Sequence, residues 1–445
     1  MMELTSAQYY QLVAGLILVI IAFVGAYAGP ERVVVFVLIL LLPFQPITSK
    51  YGTVNTGLAL LVFMAFLLNG RLRRFPLLFL VCAVMLAYLL SFTQVPRATY
   101  PDHLYYLVAI CANFALFYIV YNNISRSGDI RGFFNILLWT NMFVGLYCFA
   151  QLIMGVEPKA MLGIGDLALR DNRWDARLSG PFAAVGITAE YLVIMTLLLL
   201  HMYLHEAGKT KKRLIAGVAI ANLAFLVATG NRGGFLVLLG GAFLYLVWFR
   251  KELGFGRLFA SAAVGGVMLA IVSVVIVTYT DFNVLYGRLL STEVKEGMPD
   301  TRVRIWPEAW ERIQEKPVLG HGPRFRLIAE DSGLIPWYQI MPYPHSAYLF
   351  LLTTIGVVGL VAWFAFLYVL FLRFLRARKN QHPDPFIASL PKLSILILVV
   401  LLVDQLKVSM FRFNLSDYQQ IVFVLIGGLL ASAWVAMHSA KPDSA

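Results

Sequence analysis

Residues 346–372 read SAYLFLLTTIGVVGLVAWFAFLYVLFL, 27 residues with no charge among them. About 20 apolar residues in a helix cross the hydrocarbon core of a bilayer, so this run is long enough to span. Similar runs recur near 11–29, 33–48, 54–69, 75–94, 103–121, 131–154, 184–204, 213–229, 234–249, 258–280, 388–410 and 420–438. A helix satisfies its own backbone groups, which lipid cannot do. A membrane β-barrel would show short alternating segments, and these runs do not alternate. The expectation is an all-α integral membrane protein, a single polytopic domain over 1–445, with twelve or thirteen transmembrane helices. The number stays open because the runs at 33–48 and 54–69 are short. Pro43 and Pro46 fall near their junction, so one of the two can be re-entrant or interfacial.

Composition agrees. Of 445 residues, 60% are hydrophobic and 13% charged, against about 25% charged in soluble domains. Mean hydropathy is +0.76. The net charge of +12 is read first as basic cytoplasmic loops and not as a nucleic-acid surface. Cys82, Cys111 and Cys148 all lie in apolar runs. They offer no disulfide framework or thiolate metal site and read as small buried hydrophobes. Ala26-Tyr27-Ala28 resembles a cleavage site, but no basic residue precedes it. Residues 11–29 are therefore expected as a retained first helix.

Short basic loops set the orientation. Arg71, Arg73 and Arg74, then Lys209, Lys211, Lys212 and Arg213, then Arg250, Lys251 and Arg257, then Arg373, Arg376, Arg378 and Lys379 lie an even number of spans apart. They share one side, the cytoplasmic one. Two long loops, 155–183 and 281–345, then face outward, and the second is expected to be helical in part. These outer loops are not depleted of cations. They carry Lys159, Arg170, Arg173 and Arg177, then Arg288, Lys295, Arg302, Arg304, Arg312, Lys316, Arg324 and Arg326, and a short outer turn adds Arg232. Nearly all are arginine, the residue suited to planar contact with phosphate or carboxylate. An anionic, lipid-linked substrate explains the excess.

Several patches stand out in those loops. Thr229-Gly230-Asn231-Arg232-Gly233-Gly234-Phe235 puts an arginine at a helix start, where amides and dipole favour an anion. A tight turn with a snorkelling arginine accounts for the same residues. Arg177-Leu178-Ser179-Gly180-Pro181-Phe182 precedes a span holding Glu190, about two turns into apolar sequence. A carboxylate there is expected to pair with an arginine. Arg302 and Trp306 share a helix face at i and i+4, and Pro307 is expected to end that turn or restart a helix. An amphipathic helix with a solvated charged face is the plainer account. His345 stands just before the 346–372 run, where a neutral imidazole can take a proton from a hydroxyl. His321, between two glycines, is a weaker candidate for that role. His201 and His205 read as interfacial. Asp404 and Lys407, three apart, are expected to pair. No HExxH or Asp-x-Asp pattern in an outer loop suggests a metal, and no cofactor is implied.

Taken together the patches resemble the O-antigen ligase / Wzy-type polymerase superfamily of bacterial envelope glycosyltransferases. The resemblance rests on Arg177-Leu178-Ser179-Gly180-Pro181-Phe182, on Asn231-Arg232-Gly233-Gly234, on Arg302-x-x-x-Trp306 with Pro317-x-x-Gly320-x-Gly322, and on His345-x-x-Tyr348-Leu349 with Gly356-x-x-Gly359-Leu360. It covers about residues 170–370. Ser346 stands where the family often has Asn after the histidine. Ala183-Ala184-Val185-Gly186 replaces an often seen Pro-Asn continuation.

The resemblance implies a GT-C-like fold in the bacterial inner membrane, with the active site facing the periplasm. It implies a glycan donor on undecaprenyl diphosphate and lipid A–core or a second lipid-linked glycan as acceptor. Ligation and polymerisation remain alternatives, and a small-anion transporter is a reading of another class. His345 and Arg232 are the expected catalytic residues. Arg177, Arg302, Arg173, Arg304, Trp306 and Tyr348 are the expected diphosphate and substrate contacts.

Overall fold

A computed structural model describes residues 23, 25–44, 48–49, 52–154, 177–182, 184–253, 294–295, 298–324, 344–379, 382–411 and 416–438. Through these the helices are α1 (Glu31–Leu41), α2 (Val54–Leu68), α3 (Leu78–Phe92), α4 (Tyr100–Asn123), α5 (Ser127–Met154), α6 (Val185–His205), α7 (Lys209–Ala228), α8 (Arg232–Leu253), α9 (Asp300–Glu315), α10 (Ala347–Ala377), α11 (Pro385–Asp404) and α12 (Ser416–His438). Two ladders of two residues a side, β1 (Thr48–Ser49) with β2 (Gly52–Thr53) and β3 (Val294–Lys295) with β4 (Met298–Pro299), complete them. The regular structure of the described residues is all-helical apart from these ladders, and seven of the described helices are long and apolar enough to cross a membrane. The expected run near 258–280, and all but the end of the run near 11–29, lie outside the described residues.

The basic loops meet at one end of the bundle, as their parity required. Arg74 between α2 and α3 donates to the Ile124 carbonyl at 3.1 Å and lies 4.4 Å from the Trp434 ring centre, near the end of α12. Arg131 pairs with Asp384 at 2.8 Å, joining the starts of α5 and α11. His201 and His205 share the Ser389 hydroxyl at 3.1 and 3.3 Å, so they tie α6 to α11 beneath the surface. His201 is buried, which corrects its interfacial reading.

Helices α4, α6, α11 and α12 form the interior, while α5, α8 and α10 turn most of their surface outward. Phe114 of α4 packs edge-on against Phe423 of α12 and alongside Trp363 of α10. Buried amides are paired across helices, Asn113 with Gln419 at 3.0 Å and Asn141 with Asn222 at 3.2 Å, as apolar surroundings demand. Of the cysteines only Cys148 is buried. Cys82 and Cys111 lie on outward faces, where lipid receives an apolar side chain as readily as a protein core.

The run at 33–48 yields a helix of only 11 residues, about 16 Å long and too short to cross by itself. Asn55 at the start of α2 ends it, donating to the carbonyls of Leu41, Leu42 and Phe44.

Helix α10 is broken at Gly356, whose φ of 64° is left-handed. The break is filled by the segment that follows α9. His321 and Gly322 donate backbone N–H groups to the carbonyls of Thr353 and Thr354 at 2.9 Å each, and Val357 donates to Pro317 at 2.9 Å. Ser91 at the end of α3 also donates to Thr354, at 2.5 Å. Gly320 has φ 68°, and a Cβ on it would stand 2.5 Å from the Thr354 carbonyl. A Cβ on Gly356 would overlap the Val318 carbonyl. The two glycine motifs are therefore two halves of one interlock. Through it the loop before α10 is seated on α3 and α10.

Helix α9 corrects the reading of Pro307. It runs unbroken from Asp300 to Glu315 with Pro307 inside. Pro307 is exposed, opposite the buried Ile305, Ala309 and Ile313. There a carbonyl left without its helical N–H can be hydrated.

Replacing Gly320 or Gly356 by alanine is expected to lower stability by about 1–3 kcal/mol through overlap and left-handed strain. Gly240→Ala on α8, with open space around it, serves as control. Melting in detergent checks this, and equal midpoints for all three variants would refute the interlock.

Candidate active site

At the end opposite the basic loops, three interrupted stretches of chain meet. The first is Arg177–Phe182. Its residues take up the carbonyls freed where α7 ends: Leu178 N–H donates to Ala228 at 3.0 Å and Arg177 Nε–H to Thr229 at 2.9 Å. Gln151 of α5 then clamps both sides of Ser179-Gly180, donating to the Ser179 hydroxyl at 3.0 Å and accepting from Gly180 N–H at 2.9 Å. Thr188 of α6 donates to the Ser179 carbonyl. Phe182 packs on Tyr191 and Tyr418. Helix ends buried in apolar surroundings need such partners for their free carbonyls.

The second stretch is the turn from Thr229 to Gly234. Asn231 caps α8, its Oδ1 accepting from Gly234 N–H at 2.8 Å, so Arg232 is the first residue of that helix. Asn is among the preferred residues for this capping position. Because Arg177 is bonded to Thr229, the two arginine motifs, 55 positions apart in sequence, occupy one corner at the positive end of a helix.

The third stretch is the turn after α11. Asp404 Oδ1 and Lys407 Nζ are 2.6 Å apart, so this pair forms as expected. Lys407 lies beyond the helix and not within it. Its stem crosses the turn at Gly233, where a Cβ would collide with it. Gln405, 4% exposed, donates from Nε2 to Glu190 Oε1 at 2.7 Å and accepts Met410 N–H at 2.8 Å. Its carbonyl accepts Ala347 N–H at 2.9 Å, the first amide of α10. His345 stands two residues before that anchor. The 404–407 turn thus supports both the Arg232 corner and the His345 corner. Glu190 is 1% exposed, and its bonded partner is a glutamine, which corrects the expected arginine. Asp404, Lys407 and the Tyr418 hydroxyl also neighbour it.

The other expected residues are placed more loosely. Arg302 and Arg304 lie on α9, which packs against α10. Trp306 on the same helix is half-buried. Arg173 lies outside the described residues. The hydroxyl of Tyr348 is committed to the Leu402 carbonyl at 2.7 Å, and its ring stacks on Phe364. That ring helps line an apolar cleft between α10, α11 and α12, together with Leu351, Trp363, Leu398, Phe411 and Gln405. His321 is a structural residue. Its Nε2–H donates to the Arg312 carbonyl at 2.8 Å. Among the described residues no group of three His, Cys, Asp or Glu side chains comes together as a metal site.

Gln405 and Gln151 carry much of this geometry, and the sequence reading names neither; Asn231 stands there within the Asn231-Arg232-Gly233-Gly234 motif, with no capping role given to it.

Burial lowers the His321 pKa below its ordinary 6.5, against the Arg312 carbonyl bond, with Lys316, Glu315 and Arg312 as the charges around it. The unfolded chain therefore binds the proton first, and the contribution of His321 to stability is full above about pH 6.5 and falls below it. Melting temperature is expected to drop more steeply between pH 7.5 and 5 in the natural protein than in His321→Gln. Parallel curves would refute this.

No curated protein matches the chain. A family model described as O-antigen ligase matches residues 217–364, from the middle of α7 to the middle of α10. That stretch holds Arg232, Arg302, Trp306, both glycine motifs, His345 and Tyr348, while Arg177, Glu190 and Gln405 lie outside it. Over residues 217–364, a third of its length, the chain is similar to the family described as O-antigen ligase.

Proposed function

We propose that the protein transfers a glycan from undecaprenyl diphosphate to an acceptor hydroxyl, most readily as an O-antigen ligase acting on lipid A–core. The observation that supports this best is the bond from Arg177 Nε to the Thr229 carbonyl. It brings Arg177 to Thr229 in the turn between α7 and α8, three residues before Arg232. Two cations at the positive end of a helix suit a diphosphate.

The chemistry follows from what such a donor needs. The acceptor oxygen attacks the anomeric carbon, the bond from that carbon to the diphosphate oxygen breaks, and its electrons remain on the diphosphate. Arg177 and Arg232, with Arg302 and Arg304 from α9 and Arg173 from the preceding loop, neutralise that charge as it grows. His345 takes the hydroxyl proton. A single displacement inverts the sugar carbon, in a GT-C-like helical frame and without a metal. The apolar cleft walled by Tyr348 and Trp363 is a berth for the isoprenoid chain, and Trp306 a stacking surface for sugar. The inner membrane, with this end facing the periplasm, is the setting.

A Wzy-type polymerase would use the same residues and differ only in its acceptor. An anion transporter would need a polar path through the bundle. The polar cluster around Glu190 sits at one end, and toward the opposite end the described polar groups His201, Ser389 and Tyr245 bond one another.

Purified protein given undecaprenyl-diphosphate glycan and either lipid A–core or a second lipid-linked glycan tests the reading. Transfer to the first acceptor marks a ligase and to the second a polymerase; transfer to neither would sink both. His345→Ala is expected to slow transfer by about 10²–10⁴ and Arg232→Ala by about 10²–10³, with both proteins still in the membrane. Arg177→Lys, which loses the Nε–H bonded to Thr229, is expected to raise the donor KM. Activity is expected to survive EDTA; loss in EDTA with recovery on adding a divalent ion would overturn the metal-free scheme.

A further inference from the structure

We propose that Gln405 is a positioning residue for this site, holding His345 through the polarity of a single side-chain amide. The inference rests on the reading of His345 as the base. Met410 N–H can only donate, so it must face Gln405 Oε1. That turns Nε2 toward Glu190, whose oxygen accepts. The amide is thereby locked at both ends. The carbonyl of the same residue receives the Ala347 N–H. This sets the start of α10, and the backbone of His345 two residues earlier, relative to α6 and α11.

The lock has a direction. A glutamate at 405 would still accept from Met410 N–H but would turn its second oxygen toward Glu190. Two carboxylates would then meet in a buried pocket, with the Asp404–Lys407 pair and the Tyr418 hydroxyl as the other groups facing Glu190. Such a pair needs a shared proton. Exchanging both residues restores the pattern in reverse, because a glutamine at 190 can donate to a glutamate at 405. Net charge and both hydrogen bonds are then kept.

Steady-state transfer by purified full-length protein in lipid nanodiscs tests this. Gln405→Glu is expected to lose about tenfold or more in kcat at neutral pH, the scale on which small misplacements act, with the donor KM nearly unchanged. Its pH–rate profile is expected to shift to lower pH than that of the natural protein. Glu190→Gln alone is expected to be mild, since its oxygen can still accept. The double variant Glu190→Gln with Gln405→Glu is expected to recover most of the loss and the natural pH profile. Full activity in Gln405→Glu, or a double variant no better than Gln405→Glu, would overturn the proposal. Misfolding does not mimic the expected result, because a defect rescued by a second exchange at the bonded partner reports that bond. Natural protein inactive toward every acceptor would refute the transfer reading itself, and with it the base that Gln405 is proposed to hold.

Discussion

In an apolar bundle every backbone group freed from a helix must find a partner in the protein. The arrangement of this chain turns on how it meets that demand where its helices are interrupted. The turn after α11 is held by Gln405, whose side chain bonds Glu190 and Met410 and whose carbonyl receives the first amide of α10. The end of α7 is closed by Arg177 and Leu178. The break in α10 is filled by the segment around Gly320. All three belong to the end opposite the basic loops. Unsatisfied backbone draws distant segments together there, and the polar side chains arrive with them.

Charge follows from the same closure. Arg177 is placed by the bond from its Nε–H to the Thr229 carbonyl. Among the described acids near the corner, Asp404 pairs with Lys407 and Glu190 accepts from Gln405. At the basic end Arg131 and Lys211 are matched to Asp384 and Glu206.

Much of the frame was legible beforehand. Long uncharged runs become helices because no other backbone form is self-sufficient in lipid, and the parity of the arginine and lysine clusters put them at a common end. The patches around Arg177, Arg232 and His345 announced themselves by chemistry that an apolar helix does not need. The glycines of 317–322 and 356–359 were legible as a pattern but not as an interlock. Nothing in either motif states that its partner lies some 35 residues away. Pro307 misled because a proline breaks an isolated helix, whereas an exposed one can be carried by a helix whose other face is packed.

The sequence alone determined that the chain is helical and membrane-borne, and where its arginine, histidine and glycine motifs fall. Hydrophobic length and charge are local properties and need no neighbours to be read. Only the tertiary structure decided that Arg177 joins Arg232, that Glu190 answers to Gln405, and that one turn after α11 supports both the arginine corner and the histidine corner. Those pairings depend on which freed amide meets which freed carbonyl. That is settled by how helices pack in three dimensions, and no spacing along the chain encodes it.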